Sequence, residues 1–366
     1  MIALLACLIW IYLYFFHGRF WSSEPELRPA VPMSFPDVDI IVPARDEAET
    51  IGPVIASLLA QDYAGTFRVI LVDDNSVDGT AARAGAHPRL TILTGAPKPA
   101  GWTGKLWALA QGVAASAAPV ILFTDADITH DPRHLATLVA RLEAPRVDLV
   151  SEMVRLNCTS PAERLLIPAF VYFFQMLYPF ARVNDPLSPT AGAAGGTMLV
   201  RREALARIGG LAAIKGELID DCALGAKLKA RGPIFLGHSG LATSIRRYPA
   251  PADIWAMITR TAYTQLRYNP VWLAATVLGM ALVWLVAPWE VLTGHGWGFL
   301  EGLVASVLAV LSYQPTLRRY GMPRYHALAL PFIALFYMAA TIASAVNRWR
   351  GTGAQWKARA YGPGQA

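Results

Sequence analysis

Apolar runs and segments of helical period alternate from Val38 onward. "VDIIVPA", "FRVILVDDNS", "RLTILTG" and "PVILFTDAD" read as buried strands. "AETIGPVIASLLAQ" and the segment from about Gly79 read as helices between them. Strand and helix in alternation predict an α/β domain with a mostly parallel sheet, whose ligands sit at the carboxyl ends of the strands. Longer apolar stretches flank this region. Ile2 to Phe16 opens the chain, and Val271–Trp289, Trp297–Leu317 (apolar apart from Glu301) and Tyr325–Val346 follow it. These are transmembrane candidates. The first is short for a core of about 30 Å at about 1.5 Å per residue, and Phe20 and Trp21 are expected to extend it.

No basic residue precedes the first stretch and no small-residue cleavage site follows it, so an uncleaved anchor is expected. Arg19 and Arg28 come next, which predicts an outside N-terminus and a cytoplasmic domain after it. Leu165 to Ala181 is apolar but interrupted by two prolines and Gln175, and reads as an interfacial or acceptor-facing helix. Ser244 to Trp272 mixes Arg, Tyr and Trp directly before an apolar span, which suits a helix in the headgroup layer with arginines on phosphates. The expected organisation is therefore an anchor over 1–21, a cytoplasmic domain over 36–243, an interfacial segment over 244–270, a transmembrane region over 271–347 and a basic tail over 348–366, expected on the cytoplasmic side.

Composition supports a membrane protein. Of the 366 residues 54% are hydrophobic and only 16% charged. The net charge of +6 admits nucleic acid in principle, but the basic residues gather beside apolar segments, as at Arg318-Arg319. A cytoplasmic membrane face is the better reading, with no nucleic-acid partner. Cys7, Cys158 and Cys222 form no framework and fit a reducing compartment.

With charge so scarce, acidic pairs at strand ends stand out. Asp73-Asp74 end a strand, where a carboxylate can accept hydrogen bonds from a base N–H and a ribose hydroxyl; a turn capped by Ser76 or Asp78 would use the same residues. In "VPARDEAET", Arg45 offers a planar cation that can stack on a base, and Glu47 is expected in a first helical turn. Asp125-Ala126-Asp127 closes an uncharged strand. Two carboxylates there can converge on Mg²⁺ or Mn²⁺, which bind through one or two carboxylates plus substrate phosphates and would neutralise a diphosphate leaving group. Asp220-Asp221 precedes an amphipathic helix, where acids cap well but can also act as a general base. "GWTGKLWA" lacks the residues of a P-loop, and no G-x-S-x-G elbow occurs.

The ordered set "VPARDE", "VDDNSVDGT", "GWTGKLWALAQG", "DAD", "GGTMLVRREAL" and "IDDCALGAKLKARG" resembles the family-two inverting glycosyltransferases, of the nucleotide-diphospho-sugar transferase (GT-A) fold. The resemblance covers about Val38 to Tyr268. It is nearest to the membrane-anchored branch, which includes ceramide-glucosyltransferase-like enzymes and the bacterial hopene-associated glycosyltransferases. It implies that Asp73 and Asp74 hold the uracil and ribose of a UDP-sugar, that Arg45 and Glu47 belong to the base- and ribose-side loop, and that Lys105 lies beside the nucleotide. It further implies that Asp127, helped by Asp125, binds the metal, and that Asp221, beside Asp220, is the catalytic base. The chain departs from the family in three places. Many members carry an aromatic residue and Asn where this chain has Arg45 and Asp46. The usual Glu-Asp pair is Asp220-Asp221 here, and the Gln-x-x-Arg-Trp motif of processive members is not kept in "YTQLRYNP".

The expectation is a glycosyltransferase at a bacterial-type inner membrane, facing the cytoplasm. It would move a sugar from a UDP-sugar to a membrane lipid, a hopanoid or related isoprenoid. A polysaccharide synthase and a non-catalytic sugar-nucleotide-binding scaffold are the alternatives.

Overall fold

The structure is a computed structural model that describes residues 1–143 and 146–352, with the backbone of 355–356 and 359–360. Most of the expected basic tail lies outside the described residues. Packing divides the chain into a sheet unit, Glu24–Asn157 with Arg182–Arg247, and a helical unit, Met1–Ser23 with Cys158–Ala181 and the segment from Tyr248.

The sheet unit holds nine strands: β1 (Glu26–Leu27), β2 (Val38–Ala44), β3 (Phe67–Asp73), β4 (Leu90–Thr94), β5 (Val120–Thr124), β6 (Ile128–His130), β7 (Leu149–Arg155), β8 (Thr197–Arg201) and β9 (Ile234–Ser244). Their order is β1-β9-β7-β8-β5-β2-β3-β4, with β6 paired to β9. β2 lies parallel between β3 and β5, whereas β8 runs antiparallel to β5 and β7. The expected mostly parallel sheet is present.

Every residue of β2 is buried, so both faces of the sheet are covered. Ile40, Val42 and Leu71 on one face pack with Val54, Ile55 and Leu58 of the Ile51–Leu59 helix and with Leu135 and Leu138 of the His134–Glu143 helix. On the other face the Gly104–Ala114 helix lies so close that a Cβ at Gly112 would sit 2.4 Å from Ile41 Cγ2. At the far edge, the one charged residue inside β2 is neutralised: Asp39 accepts Arg68 Nε–H at 2.6 Å and the Ala117 N–H at 3.2 Å.

Two helical expectations are corrected. The segment after Gly79 is helical only over Thr80–Arg83, and the helix after β2 starts at Ile51, so Glu47 precedes it rather than lying in its first turn. The reason is local: Asp46 takes a left-handed φ of 51°, with its backbone N–H donated to Ser76 Oγ.

In the helical unit, Pro270–Thr293 (24 residues), Trp297–Arg319 (23 residues) and Arg324–Trp349 (26 residues) are long and apolar enough to cross a membrane by length and composition. The N-terminal helix, Ile2–Phe15, stops short because Gly18 and Arg19 turn the chain with positive φ, so Phe20 and Trp21 do not extend it. Pro270–Thr293 contains a π-turn at Leu282–Val286, just before Pro288. Proline has no N–H to offer the carbonyl five residues back, and the Trp10 indole N–H donates to that carbonyl, Val283 O, at 2.7 Å. The interrupted stretch after Leu165 forms the Pro161–Leu177 helix, closed at its start by a Ser160/Glu163 capping box. Its Tyr172 hydroxyl lies 2.6 Å from Ser312 Oγ, and Tyr337 donates to Leu166 O. In the expected interfacial segment, a helix forms over Pro251–Gln265.

The closeness of Gly112 to Ile41 makes a direct packing test. Gly112→Ala would gain up to about 1 kcal/mol of helix propensity but must push apart a fully buried contact, at a cost of about 1–3 kcal/mol. A lowered Tm is expected in thermal unfolding; a raised Tm would show that this helix is free to shift off the sheet.

Candidate functional site

Because β2, β3 and β5 are parallel, the segments that leave them (Arg45–Glu47, Asp74, Asp125–Asp127) emerge at one edge of the sheet. β8 runs the other way, so the Gly195-Gly196 segment before it reaches the same edge, with Thr197 opposite Thr124. The Asp220–Lys229 helix brings Asp220 and Asp221 in its first turn.

These residues form three groups. In the first, Lys105 Nζ lies 2.9 Å from Asp125 Oδ1 and 3.3 Å from Asp220 Oδ2. Burial works against the lysine charge, but the Asp125 and Asp220 carboxylates outweigh it and raise its pKa well above the ordinary range. Asp221 lies alongside: its Oδ2 accepts the Gly195 N–H and its Oδ1 the Cys222 N–H, both at 2.7 Å. Burial, and then the neighbouring Asp220 carboxylate, push its pKa up to about 6, against the Lys105 charge and the two N–H donors. A Cβ at Gly195 would stand 3.0 Å from Asp221 Oδ2, so any larger residue there would have to push that carboxylate aside by a few tenths of an ångström.

In the second group Arg246 joins two acids. Its Nη2 donates to Glu47 Oε1 and its Nε to Asp127 Oδ2, each at 2.6 Å. Burial raises the Asp127 pKa, an effect that Arg246 partly offsets. Glu47 is further fixed by its backbone N–H, donated to Thr80 Oγ1, and by Thr50 Oγ1 on its Oε2.

The third group lies at the end of β3. Arg45 Nη1 donates to the Asp74 carbonyl at 2.6 Å and lies 3.5 Å from the Asp74 carboxylate. Asp73 Oδ1 accepts the backbone N–H and hydroxyl of Ser76. Gly95, whose Cβ would meet Asp73 O at 3.1 Å, lets the chain after β4 pack against this turn.

Behind the site runs a buried polar chain. Thr124 Oγ1 donates to Gly196 O at 3.0 Å and lies 3.1 Å from His130 Nε2. His130 Nδ1 lies 3.0 Å from His134 Nδ1, and His134 Nε2 2.5 Å from Glu152 Oε1. Burial, and then His134, lower the His130 pKa well below the usual range, so its imidazole is neutral. The chain holds the end of β5 against the Gly195-Gly196 segment, from which the Asp221 contact is made.

All nine acids, bases and cations singled out in the sequence therefore lie at one sheet edge, but not in the expected pairing. Asp125 and Asp127 do not share a cation: one faces Lys105, the other Arg246. Arg45 is engaged by Asp74 rather than left open. Arg246 and Gly195 are additions. The basic pair "RR" just after β9 was a signal, but its neighbouring aromatics assign it equally well to a lipid surface. Instead Arg246 belongs to the sheet edge.

Among the described residues no group of three or more His, Cys, Asp or Glu side chains forms a closed metal site. Asp125 and Asp127 are oxygen donors of the kind that Mg²⁺ and Mn²⁺ prefer, and to bind such an ion each would have to exchange its present cation partner, Lys105 or Arg246.

Sequence and structure comparisons give the same picture. Residues 39–209 match the family model described as "Glycosyl transferase family 2". An N-acetylglucosaminyltransferase of Bradyrhizobium elkanii is 32% identical over 132 residues, 34% of this chain and 70% of that protein. A dodecaprenyl-phosphate galacturonate synthase of Rhizobium johnstonii is 26% identical over 138 residues, covering 35% of this chain and 39% of that protein. The mannosyltransferase of Pyrobaculum calidifontis, solved in complex with GDP-Man and Mn²⁺, superposes with a TM-score of 0.54 over 94% of this chain and 98% of its own. Its 21% identity makes this a likeness of fold. With the strand-end acids and the sheet order on which they depend, these matches establish that the chain belongs to glycosyl transferase family 2, as a glycosyltransferase of GT-A fold.

Proposed function

We propose that the protein is an inverting, membrane-anchored glycosyltransferase that moves a sugar from a UDP-sugar to an isoprenoid membrane lipid, a hopanoid or related molecule. The observation that carries this reading is the setting of Asp221. A general base works best with a pKa near the operating pH and a fixed orientation. Asp221 has both, through burial beside Asp220 and through the N–H groups of Gly195 and Cys222.

In this reading Asp221 takes the proton of the acceptor hydroxyl. The oxygen forms a bond to the anomeric carbon as the bond from that carbon to the diphosphate oxygen breaks, and UDP leaves with the electron pair. A single in-line displacement inverts the anomeric centre. Lys105 keeps Asp125 and Asp220 in place. Asp73, Asp74, Arg45 and Glu47 form the nucleoside side of the site. Mg²⁺ or Mn²⁺ held at Asp125 and Asp127 would supply Lewis-acid stabilisation of the leaving diphosphate. The mannosyltransferase complex, with its nucleotide-diphosphate sugar and Mn²⁺, supports this class of donor and metal.

The isoprenoid acceptor is supported by the name of the galacturonate synthase, which includes dodecaprenyl phosphate, and by three apolar helices that would hold the enzyme at its lipid. Arg19 and Arg28 after the first apolar helix support a cytoplasmic catalytic unit, where nucleotide sugars are available.

Incubation of membranes with labelled UDP-sugars, followed by phase partition, tests the reaction. A discrete labelled lipid in the organic phase is expected. Stability to mild acid would identify a glycoside of a hydroxyl, whereas acid lability would identify a sugar phosphate. Water-soluble polymer as the sole product would establish the polysaccharide synthase instead.

The base is tested by Asp221→Asn, which should keep donor affinity while lowering kcat by about 10²- to 10⁴-fold. Asp220→Asn should do less; the reverse order would move the base to Asp220. Because the ionised carboxylate is the active form, wild-type kcat should fall as pH drops below about 6. The residual activity of Asp221→Asn should lack that limb.

Gly195→Ala, which crowds Asp221 Oδ2 without touching its charge, should lower kcat and leave the donor KM near wild type. An unchanged kcat would show that the Gly195 contact does not orient the base.

A further inference from the structure

Arg246 occupies an unusual position. Its Nε lies 2.6 Å from Asp127 Oδ2, the carboxylate assigned to the metal, while its Nη2 is bonded to Glu47 at the same distance. The Asp127 and Glu47 side chains are only 11% and 10% exposed, whereas that of Arg246 is 34% exposed. Two nearly buried acids thus share one cation that can itself reach solvent. Ser244 Oγ, 3.4 Å from Asp127 Oδ2, sits on the same oxygen.

We infer that Arg246 is a built-in counter-cation that keeps Asp127 from a divalent ion until a nucleoside diphosphate is present, so that metal and donor enter the site together. The inference rests on the reading of Asp125 and Asp127 as the metal-side acids. A divalent ion arriving alone must displace Arg246 from Asp127 or lie against its positive charge. Moving the whole side chain away would also leave Glu47 as a nearly buried carboxylate without its cation, which is strongly unfavourable.

A diphosphate changes the balance. The guanidinium fork matches phosphate oxygens, and its hydrogen bonds to them are charge-assisted. Arg246 can turn its Nε edge from Asp127 to a phosphate while Nη2 stays on Glu47. Asp127 is then free to share a cation with the same diphosphate. Lys105 contacts Asp125 in a parallel manner at 2.9 Å, so each acid of the pair has a cation of the chain beside it. Arginine suits this task because its donors are separate and rigidly spaced; a lysine has a single nitrogen to divide between two acids.

The test follows Mn²⁺ uptake by the full-length protein in detergent, read from the electron paramagnetic resonance signal of free Mn²⁺, with UDP and GDP as separate diphosphate probes. Wild type should bind Mn²⁺ on the order of tenfold or more tightly with a diphosphate than without. Arg246→Gln should bind Mn²⁺ alone on the order of tenfold more tightly than wild type and lose most of that coupling. Adding Asp127→Asn to this variant should remove the gain. Arg246→Lys, which keeps the charge but not the two-acid grip, should shift in the same direction by less, and thermal unfolding of each variant reports its folding. Equal nucleotide-free Mn²⁺ affinity in wild type and both Arg246 variants, still dependent on Asp127, would overturn the inference and leave the metal assignment standing. Absence of Mn²⁺ uptake by wild type even with UDP or GDP would overturn the metal assignment, and the inference with it.

Discussion

The confinement of like charge at one sheet edge governs this protein. Glu47, Asp125, Asp127, Asp220 and Asp221 are held there with two cations, Lys105 and Arg246, each placed between two of them. Two carboxylates about 4 Å apart repel by roughly 4 kcal/mol at an effective dielectric of 20. The cluster is therefore stable only if each cation is placed to within a hydrogen-bond length. That demand falls on elements far apart in the chain: the Gly104–Ala114 helix for Lys105, the end of β9 for Arg246 and the Asp220–Lys229 helix for the acidic pair. Carboxylates still outnumber the cations there, and burial together with the neighbouring Asp220 carboxylate raises the Asp221 pKa.

Backbone geometry serves the same end. Asp46 and Asn75, with φ of 51° and 56°, turn the chain sharply after β2 and β3, so that side chains from both strands meet. The missing Cβ of Gly195 lets a main-chain N–H reach the Asp221 carboxylate. The buried chain from Glu152 through His134, His130 and Thr124 secures the carbonyl of the next residue, Gly196. Hydrogen bonds within such a buried chain are strengthened by the low local dielectric, so it rigidifies what it touches. Orientation of Asp221 thus depends on residues that never approach a substrate.

The helical unit, with three helices long and apolar enough to cross a membrane, is held together differently. Its apolar helices satisfy their backbone internally, and where Pro288 breaks that pattern the Trp10 indole supplies the missing donor. Polar atoms within it are paired between helices, as with Tyr172 and Ser312 or Ser344 and Thr259 O. Such pairs fix helix positions where the hydrophobic effect cannot distinguish one lipid-like neighbour from another.

Local pattern determined much. Apolar runs such as "VILFT" are buried strands because only a sheet covered on both faces accommodates them, and an acid directly after such a run must lie at the strand's carboxyl end. Gathering of the strand-end acids at one edge, and the apolar helices long enough to span a membrane, were legible for that reason. Partner choice was not. Whether Asp127 faces a metal-ready opening or Arg246, whether Glu47 starts a helix or precedes one, and which N–H groups grip Asp221 depend on the register of β8 against β5 and on the course of the chain after β9. Those are contacts between segments up to about two hundred residues apart, and the hydrogen-bond and Coulomb terms that select them act over a few ångströms. A linear pattern carries the types of these residues; only the folded chain brings them within that range.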